Sequence, residues 1–298
     1  MPFPARGFIW RCIMLTTRFA PSPTGYLHAG HAFSALVAWR RARAAGGRFL
    51  LRLEDIDPVR CKPEFAAAIV EDLRWLGIDW DGPVRAQSAH LPEYRAVLDA
   101  LAARGMLYPC FCTRADIARA GSAPHGPDGP VYPGTCRGLS NAAQADRIAS
   151  GAAYALRLDV ARAVASVPAL TFEEEGEGVV ACSPEQFGDV VLGRKDVPAS
   201  YHLCVTHDDA VQGITLVTRG ADLQPATHLH RLLQTLMGWP APRYAHHPLL
   251  TDDHGRRLAK RDAAGTLRNM RVQGVSAADV LAKVTGAAYA AQGSHEPS

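Results

Sequence analysis

An α/β protein built on a parallel sheet is what this sequence predicts, and three features of the 298-residue chain carry the prediction. Short apolar runs that read as strands alternate with helical patterns of 3.6-residue period along the first third, the order of a parallel sheet with crossover helices. The alternation breaks over residues 109–184, which reads as an insertion, and resumes near Val190. A capping signature near the end of the chain starts a last helix and gives a short helical tail.

Leu15–Ala20 is the first expected strand, stopped by Pro21-Ser-Pro-Thr-Gly25. The helix expected from His31 carries Phe33, Leu36, Val37 and Ala44 on one face and stops at Gly46-Gly47. Arg48–Leu53 (RFLLRL) reads as a buried strand. Pro63 opens a second helix with Phe65, Ile69, Leu73 and Leu76 inward and Gly77 just past its end. A third helix is expected from about Pro92 to Arg104, with Tyr94, Val97, Leu98 and Leu101 on one stripe. Gly121–Gly138 holds five Gly and four Pro in 18 residues, which excludes a regular element. Further strands are expected at Tyr201–Thr206 and Ile214–Thr218, then a helix over Thr227–Met237 closed by Gly238. Ser276 with Asp279 forms the capping signature of the last helix, which runs through Leu281 and Val284.

Composition narrows the class. Hydrophobic residues make up 48% and charged residues 20%, the balance of a globular enzyme and not of a disordered, collagen-like or coiled-coil chain. No run of 18 apolar residues occurs, so no membrane span is expected. A net charge of +3 is too small to argue for nucleic acid by itself. From Arg219 to Arg271, however, nine Lys/Arg face four Asp, a balance that suits a phosphate-bearing partner. Seven cysteines without a secretory segment point to the reducing cytoplasm and not to a disulfide framework. Residues 1–13 read as an extension outside the fold, with Met14 as a second possible start.

Three strings carry chemistry. The first is Arg18-Phe-Ala-Pro-Ser-Pro-Thr-Gly-Tyr-Leu-His28-Ala-Gly30-His31. A strand-to-helix turn points backbone N–H groups and the helix dipole at an anion. His28 and His31 sit at that helix start as donors to phosphate, and Gly30 lets a flat base approach the backbone. The second is Arg52-Leu-Glu54-Asp55-Ile-Asp57-Pro58, at the carboxyl end of a strand, where ligands of open α/β sheets bind. Glu54 is its better ligand contact, since Asp57 before Pro58 reads as a turn initiator. The third is Arg257-Leu-Ala-Lys260-Arg261, a cationic loop after Thr251-Asp-Asp-His-Gly255 that can close on a triphosphate. Each string alone has an ordinary explanation: a proline-rich turn, an acidic turn, a solvated basic loop.

In this order the three strings resemble the class I aminoacyl-tRNA synthetases, with the HIGH signature at His28–His31 and the KMSKS loop at Arg257–Arg261. Arg18–Gly25 (RFAPSPTG), Glu54–Asp57 (EDID) and Val217-Thr-Arg219-Gly-Ala-Asp222 place the resemblance in the glutamyl/glutaminyl branch. It implies a Rossmann-type catalytic domain in two halves, 14–108 and 185–262, around the insertion 109–184, with residues 263–298 as the tail. Only 37 residues follow Arg261, fewer than an anticodon-reading region needs. The expectation is therefore the branch member that activates L-glutamate with ATP and Mg²⁺ without tRNA. It then transfers glutamate to the queuosine base at the wobble position of tRNA(Asp). A truncated glutamyl enzyme charging a tRNA 3′ end and another H-x-G-H nucleotidyltransferase stand as alternatives.

The resemblance also implies roles. Arg18, Phe19, Ala20, Pro21, Ser22, Glu54, Tyr201 and Arg219 would form the glutamate pocket. Arg18 would take the side-chain carboxylate, Glu54 the ammonium and Arg219 the second negative charge. His28, Gly30, His31 and Lys260 would hold ATP, and His28, His31 and Lys260 would stabilise the transition state of adenylate formation. The loop departs from the family in Arg257, where Lys is frequent, and in Ala259, where KMSKS has Ser. Slower or differently tuned activation is expected from these changes, not inactivity.

The insertion points to a metal. Cys110-Phe-Cys112 is followed across the Gly/Pro-rich stretch by Cys136, and three thiolates suit tetrahedral Zn²⁺ in a structural site. Such a clip orders a segment too poor in apolar residues to fold alone. His125 is a generic fourth ligand, while the resemblance favours Tyr132. Cys12, Cys61, Cys182 and Cys204 read as non-ligands.

Overall fold

The computed structural model describes residues 14–119, 125–127, 129–250 and 265–293. Strand β1 (Thr16–Phe19), helix α1 (Ala29–Ala44), strand β2 (Arg48–Leu53), helix α2 (Pro63–Trp75) and strand β3 (Arg85–Ala86) form the first βαβ half. β1 and β2 pair in parallel from Thr16↔Arg48 to Phe19↔Leu51, and β2 and β3 in parallel at Arg52↔Arg85. Strand side chains alternate between faces. Phe19, Phe49, Leu51 and Leu53 share a core with α1, and the Thr17 hydroxyl donates to Ala38 O of that helix at 2.8 Å. Arg18, Leu50 and Arg52 fall on the opposite face by the same alternation.

α1 begins at Ala29, two residues before the expected start, because His28 caps it. Ala44, expected inward, is exposed. The inner stripe is instead Ala32, Phe33, Ala35, Leu36, Ala38 and Ala42. Its small side chains let the helix lie close to the sheet, whereas Ala44, the last residue of the helix, faces solvent. Burying a side chain such as Leu73 or Ile69 contributes about 1.5–3 kcal/mol each.

The middle of the chain is more regular than its composition suggests. It contains α3 (Leu91–Ala103), β4 (Leu107–Cys110), α4 (Arg114–Arg119), β5 (His125–Gly126), β6 (Gly129–Pro130), α5 (Asn141–Ala149), β7 (Ala155–Leu158) and α6 (Val160–Ala165), followed by β8 (Thr171–Glu174), β9 (Gly178–Ala181) and β10 (Val190–Gly193). β4, β7 and β10 make a small antiparallel sheet. β8 and β9 form a hairpin whose first strand joins the main sheet. Within Gly121–Gly138 the described residues hold the two-residue pairing of β5 with β6 and an isolated bridge from Tyr132 to Gly188.

The second half comprises α7 (Tyr201–Val211), β11 (Leu216–Gly220), α8 (Ala226–Met237) and β12 (Arg243–His247), and α9 (Leu267–Val272) and α10 (Ala277–Gly293) follow. Tyr201–Thr206, expected as a strand, is therefore helical. A short apolar run cannot by itself distinguish a buried strand from a buried helix. Here Ser200 Oγ accepts from Leu203 N–H at the N-cap, and burial continues through Asp208 and Asp209, beyond strand length. α8 ends as expected at Gly238, whose φ of 67° belongs to the left-handed region.

β11 pairs in parallel with β12 and β12 with β8. β1 runs alongside β11: Thr16 N–H donates to Thr215 Oγ1 at 2.9 Å and Thr215 N–H to Thr16 O at 3.0 Å. The strand order is thus β3-β2-β1-β11-β12-β8-β9, and it reverses direction of growth between β1 and β11. Such a switch point leaves a crevice at the carboxyl ends of the strands. The tail closes the other side. Val280 and Val284 of α10 are buried in the core shared with α1, and Arg271 of α9 pairs with Glu71 of α2 at 2.6 Å. Among the described residues no helix is long and apolar enough to cross a membrane.

Candidate active site

A cavity of about 740 Å³ opens at the switch point between β1 and β11. Arg18, Phe19, Ala20, Pro21, Ser22, His28, Gly30, His31, Glu54, Tyr201 and Arg219 all line it. These are the expected glutamate and nucleotide residues apart from Lys260. Lys260, Arg257 and Ala259 lie outside the described residues.

The two histidines are part of the helix start. His28 Nδ1 accepts from Gly30 N–H at 3.1 Å, and His31 Nδ1 accepts from His28 N–H at 3.2 Å, a reciprocal capping box. Because each Nδ1 is an acceptor, each ring carries its proton on Nε2. The cap thus fixes two imidazoles in the tautomer that donates through Nε2 from the positive end of a helix. Gly30 has a local reason as well: a Cβ there would meet His28 Cε1 at 3.1 Å.

Opposite the histidines lies a buried charge network. Arg18 donates from Nε and Nη2 to Asp209 at 2.9 and 3.3 Å, and from Nη1 to Thr218 O at 3.0 Å. Five N–H donors less these three leave one on each Nη nitrogen. Arg52, fully buried, donates to Asp209 at 2.8 Å and Gln212 at 3.0 Å, and its Nη2 lies 3.5 Å from Glu54. Burial pushes the Asp209 carboxyl upward, but the Arg18 and Arg52 charges outweigh it and hold the group below its usual range. Glu54 is raised because burial exceeds the pull of Arg52 and Arg18. A ligand ammonium beside Glu54 would supply the missing charge. Tyr201, at the start of α7, is also raised by burial.

Behind this layer, Asp208 anchors α7 to the first half of the fold. It accepts from Gln87 Nε2 and Tyr94 Oη, both at 2.9 Å, and from Arg85 Nε at 3.0 Å. Burial raises it, and the His207 hydrogen bond at 3.1 Å, the Arg52 charge, the Gln87 hydrogen bond and the Arg85 charge bring it below its usual range.

Arg219 is held differently. Its Nε donates to His246 Nε2 at 3.0 Å, Nη1 to His230 Nδ1 at 3.1 Å and Nη2 to Thr227 Oγ1 at 2.7 Å. A guanidinium has no acceptor atom, so both imidazole nitrogens are unprotonated. The remaining proton of His246, on Nδ1, points at Glu174 at 2.7 Å, and that of His230, on Nε2, at His202 Nδ1 at 3.2 Å. Burial and the Arg219 charge lower His246 to about 3, and the same two causes lower His230 far below its usual value.

A second cluster lies at the end of β4. The sulfurs of Cys110, Cys112 and Cys136 all lie within 4.8 Å of one another, and none forms a disulfide. Tyr132 Oη is 3.5 Å from Cys112 Sγ and accepts from Cys136 N–H at 2.8 Å. The Arg157 guanidinium lies 3.9 Å from the Tyr132 ring centroid. Burial raises the Cys136 thiol, but hydrogen bonds from Tyr132, Phe111 N–H and Cys112 bring it down to about 7. Sulfurs so spaced fit the corners of a tetrahedral site, in which Zn–S bonds of about 2.3 Å are usual. Cys61, Cys182 and Cys204 lie outside the cluster.

The sequence reading missed Asp209, Asp208 and the acceptors around Arg219. One signal was present: two adjacent aspartates, Asp208-Asp209, within a stretch otherwise rich in apolar residues. Such carboxylates require buried cations, and Arg18 and Arg52 in apolar strands are their complement.

Comparison with known proteins agrees with this geometry. Residues 14–293 match the family model described as tRNA synthetases class I (E and Q), catalytic domain. A glutamyl-Q tRNA(Asp) synthetase of Rhodobacter capsulatus is 51% identical over 278 residues, covering 89% of this chain and 98% of that protein. One of Nocardia farcinica is 47% identical, covering 90% of this chain and 83% of that protein. A crystal structure of glutamate-tRNA synthetase from Elizabethkingia anophelis superposes with a TM-score of 0.71 at 28% identity, over 83% of this chain and 53% of that one.

Proposed function

Because the chain belongs to the class I tRNA synthetases of the E and Q type, and within them to the glutamyl-Q tRNA(Asp) synthetases, we propose that it activates L-glutamate with ATP and passes it to the queuosine base of tRNA(Asp). The observation that carries the activation step is the single cavity shared by Arg18, Glu54, Tyr201 and Arg219 with the His28–His31 cap. Its charges complement a small dianion that bears an ammonium group. The acceptor rests on the names of the relatives.

ATP enters as its Mg²⁺ complex. Arg18 and Arg219 take the two carboxylates of glutamate, Glu54 takes the ammonium, and Phe19, Ala20, Pro21 and Ser22 shape the wall. The α-carboxylate oxygen attacks the α-phosphorus, an O–P bond forms, and the bond to pyrophosphate breaks. Little covalent work falls to the protein, so orientation and charge stabilisation dominate. His28 and His31 donate from Nε2 to phosphate oxygens as charge grows there. Lys260 serves the same charge, and Lys260→Ala should lower glutamate-dependent pyrophosphate exchange by about 10²–10³. A Lys260→Ala enzyme exchanging near the wild-type rate removes Lys260 from the mechanism.

In the second step a hydroxyl of the queuosine cyclopentene ring, at the wobble position of tRNA(Asp), attacks the adenylate carbonyl; a C–O ester bond forms, the mixed-anhydride bond breaks, AMP leaves and the hydroxyl proton is released. Two measurements test the whole reading. Purified protein should exchange pyrophosphate into ATP with glutamate and no tRNA. It should then label tRNA(Asp) that contains queuosine and not tRNA(Asp) that lacks it. Absence of tRNA-free exchange, or labelling of queuosine-free tRNA, overturns the reading.

Cys110, Cys112, Cys136 and Tyr132 would hold a structural Zn²⁺ that ties β4 to the following loop. About one zinc per chain is expected by elemental analysis, and stripping it should lower the melting temperature. Equal melting temperatures with and without metal would contradict this assignment. The six free cysteines among the described residues support a reducing, cytoplasmic setting.

A further inference from the structure

The two cations of the glutamate pocket are held in opposite ways. Arg18 is paired with a carboxylate, Asp209, so its charge is largely spent within the protein. Arg219 is just as buried, at 6% exposure, yet its three partners are two imidazole nitrogens and a hydroxyl. All three are acceptors without charge. Among the described residues, the carboxylate in line with it is Glu174, one ring away behind His246, with Oε2 on His246 Nδ1 and Oε1 accepting from the His246 backbone N–H at 2.8 Å. That second contact fixes the imidazole's orientation. On the other side, His202 orients His230 in the same manner.

We propose that His246, His230 and Thr227 are positioning residues that fix the Arg219 guanidinium through neutral acceptors, so that its full charge is kept for a carboxylate of glutamate and sets the preference for glutamate over neutral amino acids. The inference deepens the proposed function and rests on it. A buried arginine is ordinarily paired with a carboxylate, because an isolated buried charge is costly. Here neutral acceptors offset the desolvation cost of an empty pocket, and the substrate supplies the counter-charge. A carboxylate in the same place would stabilise the empty protein and compete with the ligand. Glu174 raises the acceptor strength of His246 through Nδ1, as a carboxylate behind a metal-bound histidine does. The hydrogen bonds also hold both rings in the tautomer the guanidinium requires.

The test separates charge from packing. Thr227→Asn and Thr227→Asp differ by one atom type and place either a neutral or a charged acceptor on Arg219. Thr227→Asp should have a KM for glutamate at least about 10-fold above that of Thr227→Asn, while the KM for ATP is the same in both. Thr227→Asp should also narrow the preference for glutamate over glutamine. A merely structural role predicts the reverse, since aspartate makes the stronger partner for a buried arginine. A second pair guards against misfolding at α8. His246→Ala should raise the glutamate KM, and His246→Gln, whose side-chain oxygen can stand near Nε2, should restore it. Equal glutamate KM values for Thr227→Asp and Thr227→Asn, or a His246→Gln enzyme as impaired as His246→Ala, would overturn the inference while leaving the function intact. Wild-type protein that shows no glutamate-dependent exchange would remove the function and the inference together.

Discussion

Replacing Asp209 with alanine is expected to cost about 3–5 kcal/mol of stability, as removal of one partner from a buried ion pair does. The side chain is 8% exposed and accepts from both Arg18 and Arg52. Without it, Arg52 at 0% exposure keeps Gln212, the longer Glu54 contact at 3.5 Å and an Asp208 contact at 3.9 Å. Its Nε already has no hydrogen-bond partner. Arg18 keeps only the Thr218 carbonyl. Two buried cations then face one another with too little counter-charge. Asp209→Asn keeps the shape and one acceptor oxygen, so its cost should be smaller, about 1–3 kcal/mol. Function should fail with stability, because Arg18 loses the contact that aims its two remaining donors into the cavity. The pH dependence has a definite sign. A carboxyl held below its usual value contributes stability that is complete above the unfolded value, about 3.9, and fades as pH falls through the folded one. The Asp209 contribution is therefore constant above about pH 4 and lost in acid. Urea unfolding of wild type and both variants gives the measurement. An Asp209→Ala protein with native stability and a native KM for glutamate would show that the network does not hold the pocket.

Much of this site was legible because its residues lie on elements that local chemistry defines. The strand, the proline-rich turn and the helix that follows it announce themselves from Leu15 onward, though not the His28 cap, and so does RFLLRL with Glu54 following it. The α/β architecture follows from their alternation. What was not legible depends on tertiary burial. α7 is buried almost all round, its polar residues Thr206, His207, Asp208 and Asp209 included, so no apolar–polar period marks it; Tyr201–Thr206 looked like a strand, and that error hid Asp208 and Asp209 on the same helix. β12 contains Arg243, Tyr244 and two histidines between prolines, and such a sequence reads as a loop. It becomes a strand because β11 and β8 flank it on both sides. His246 and Thr227 gain meaning only once Arg219 stands between them. By contrast, Cys110, Cys112 and Cys136 were legible as a group across the irregular stretch, since the metal chemistry of thiols needs no secondary structure to suggest it; Tyr132 came only from the family resemblance, because a phenol is not a ligand that spacing suggests.

The other large effect is expected at His28, where one ring serves two purposes through two nitrogens. Nδ1 caps α1 by accepting from Gly30 N–H, and Nε2 carries the ring's proton at the helix N-terminus. Asparagine separates the two. Its Oδ1 occupies the position of Nδ1 on the same Cγ, so the cap persists, but nothing replaces Nε2. His28→Asn should therefore unfold within about 0.5 kcal/mol of wild type, since asparagine is a favoured N-cap residue. Its glutamate-dependent pyrophosphate exchange should fall by about 10²–10³, the usual loss for one donor to a developing oxyanion. His28→Ala loses both functions and should show the same fall in rate together with about 1 kcal/mol of destabilisation. The comparison matters because a rate loss in the alanine variant alone could arise from fraying of the first turn, which would also displace His31 through its contact with His28 N–H. If His28→Asn exchanges pyrophosphate near the wild-type rate, the ring is a helix cap and no more, and charge stabilisation at the phosphate must come from His31 and the basic loop.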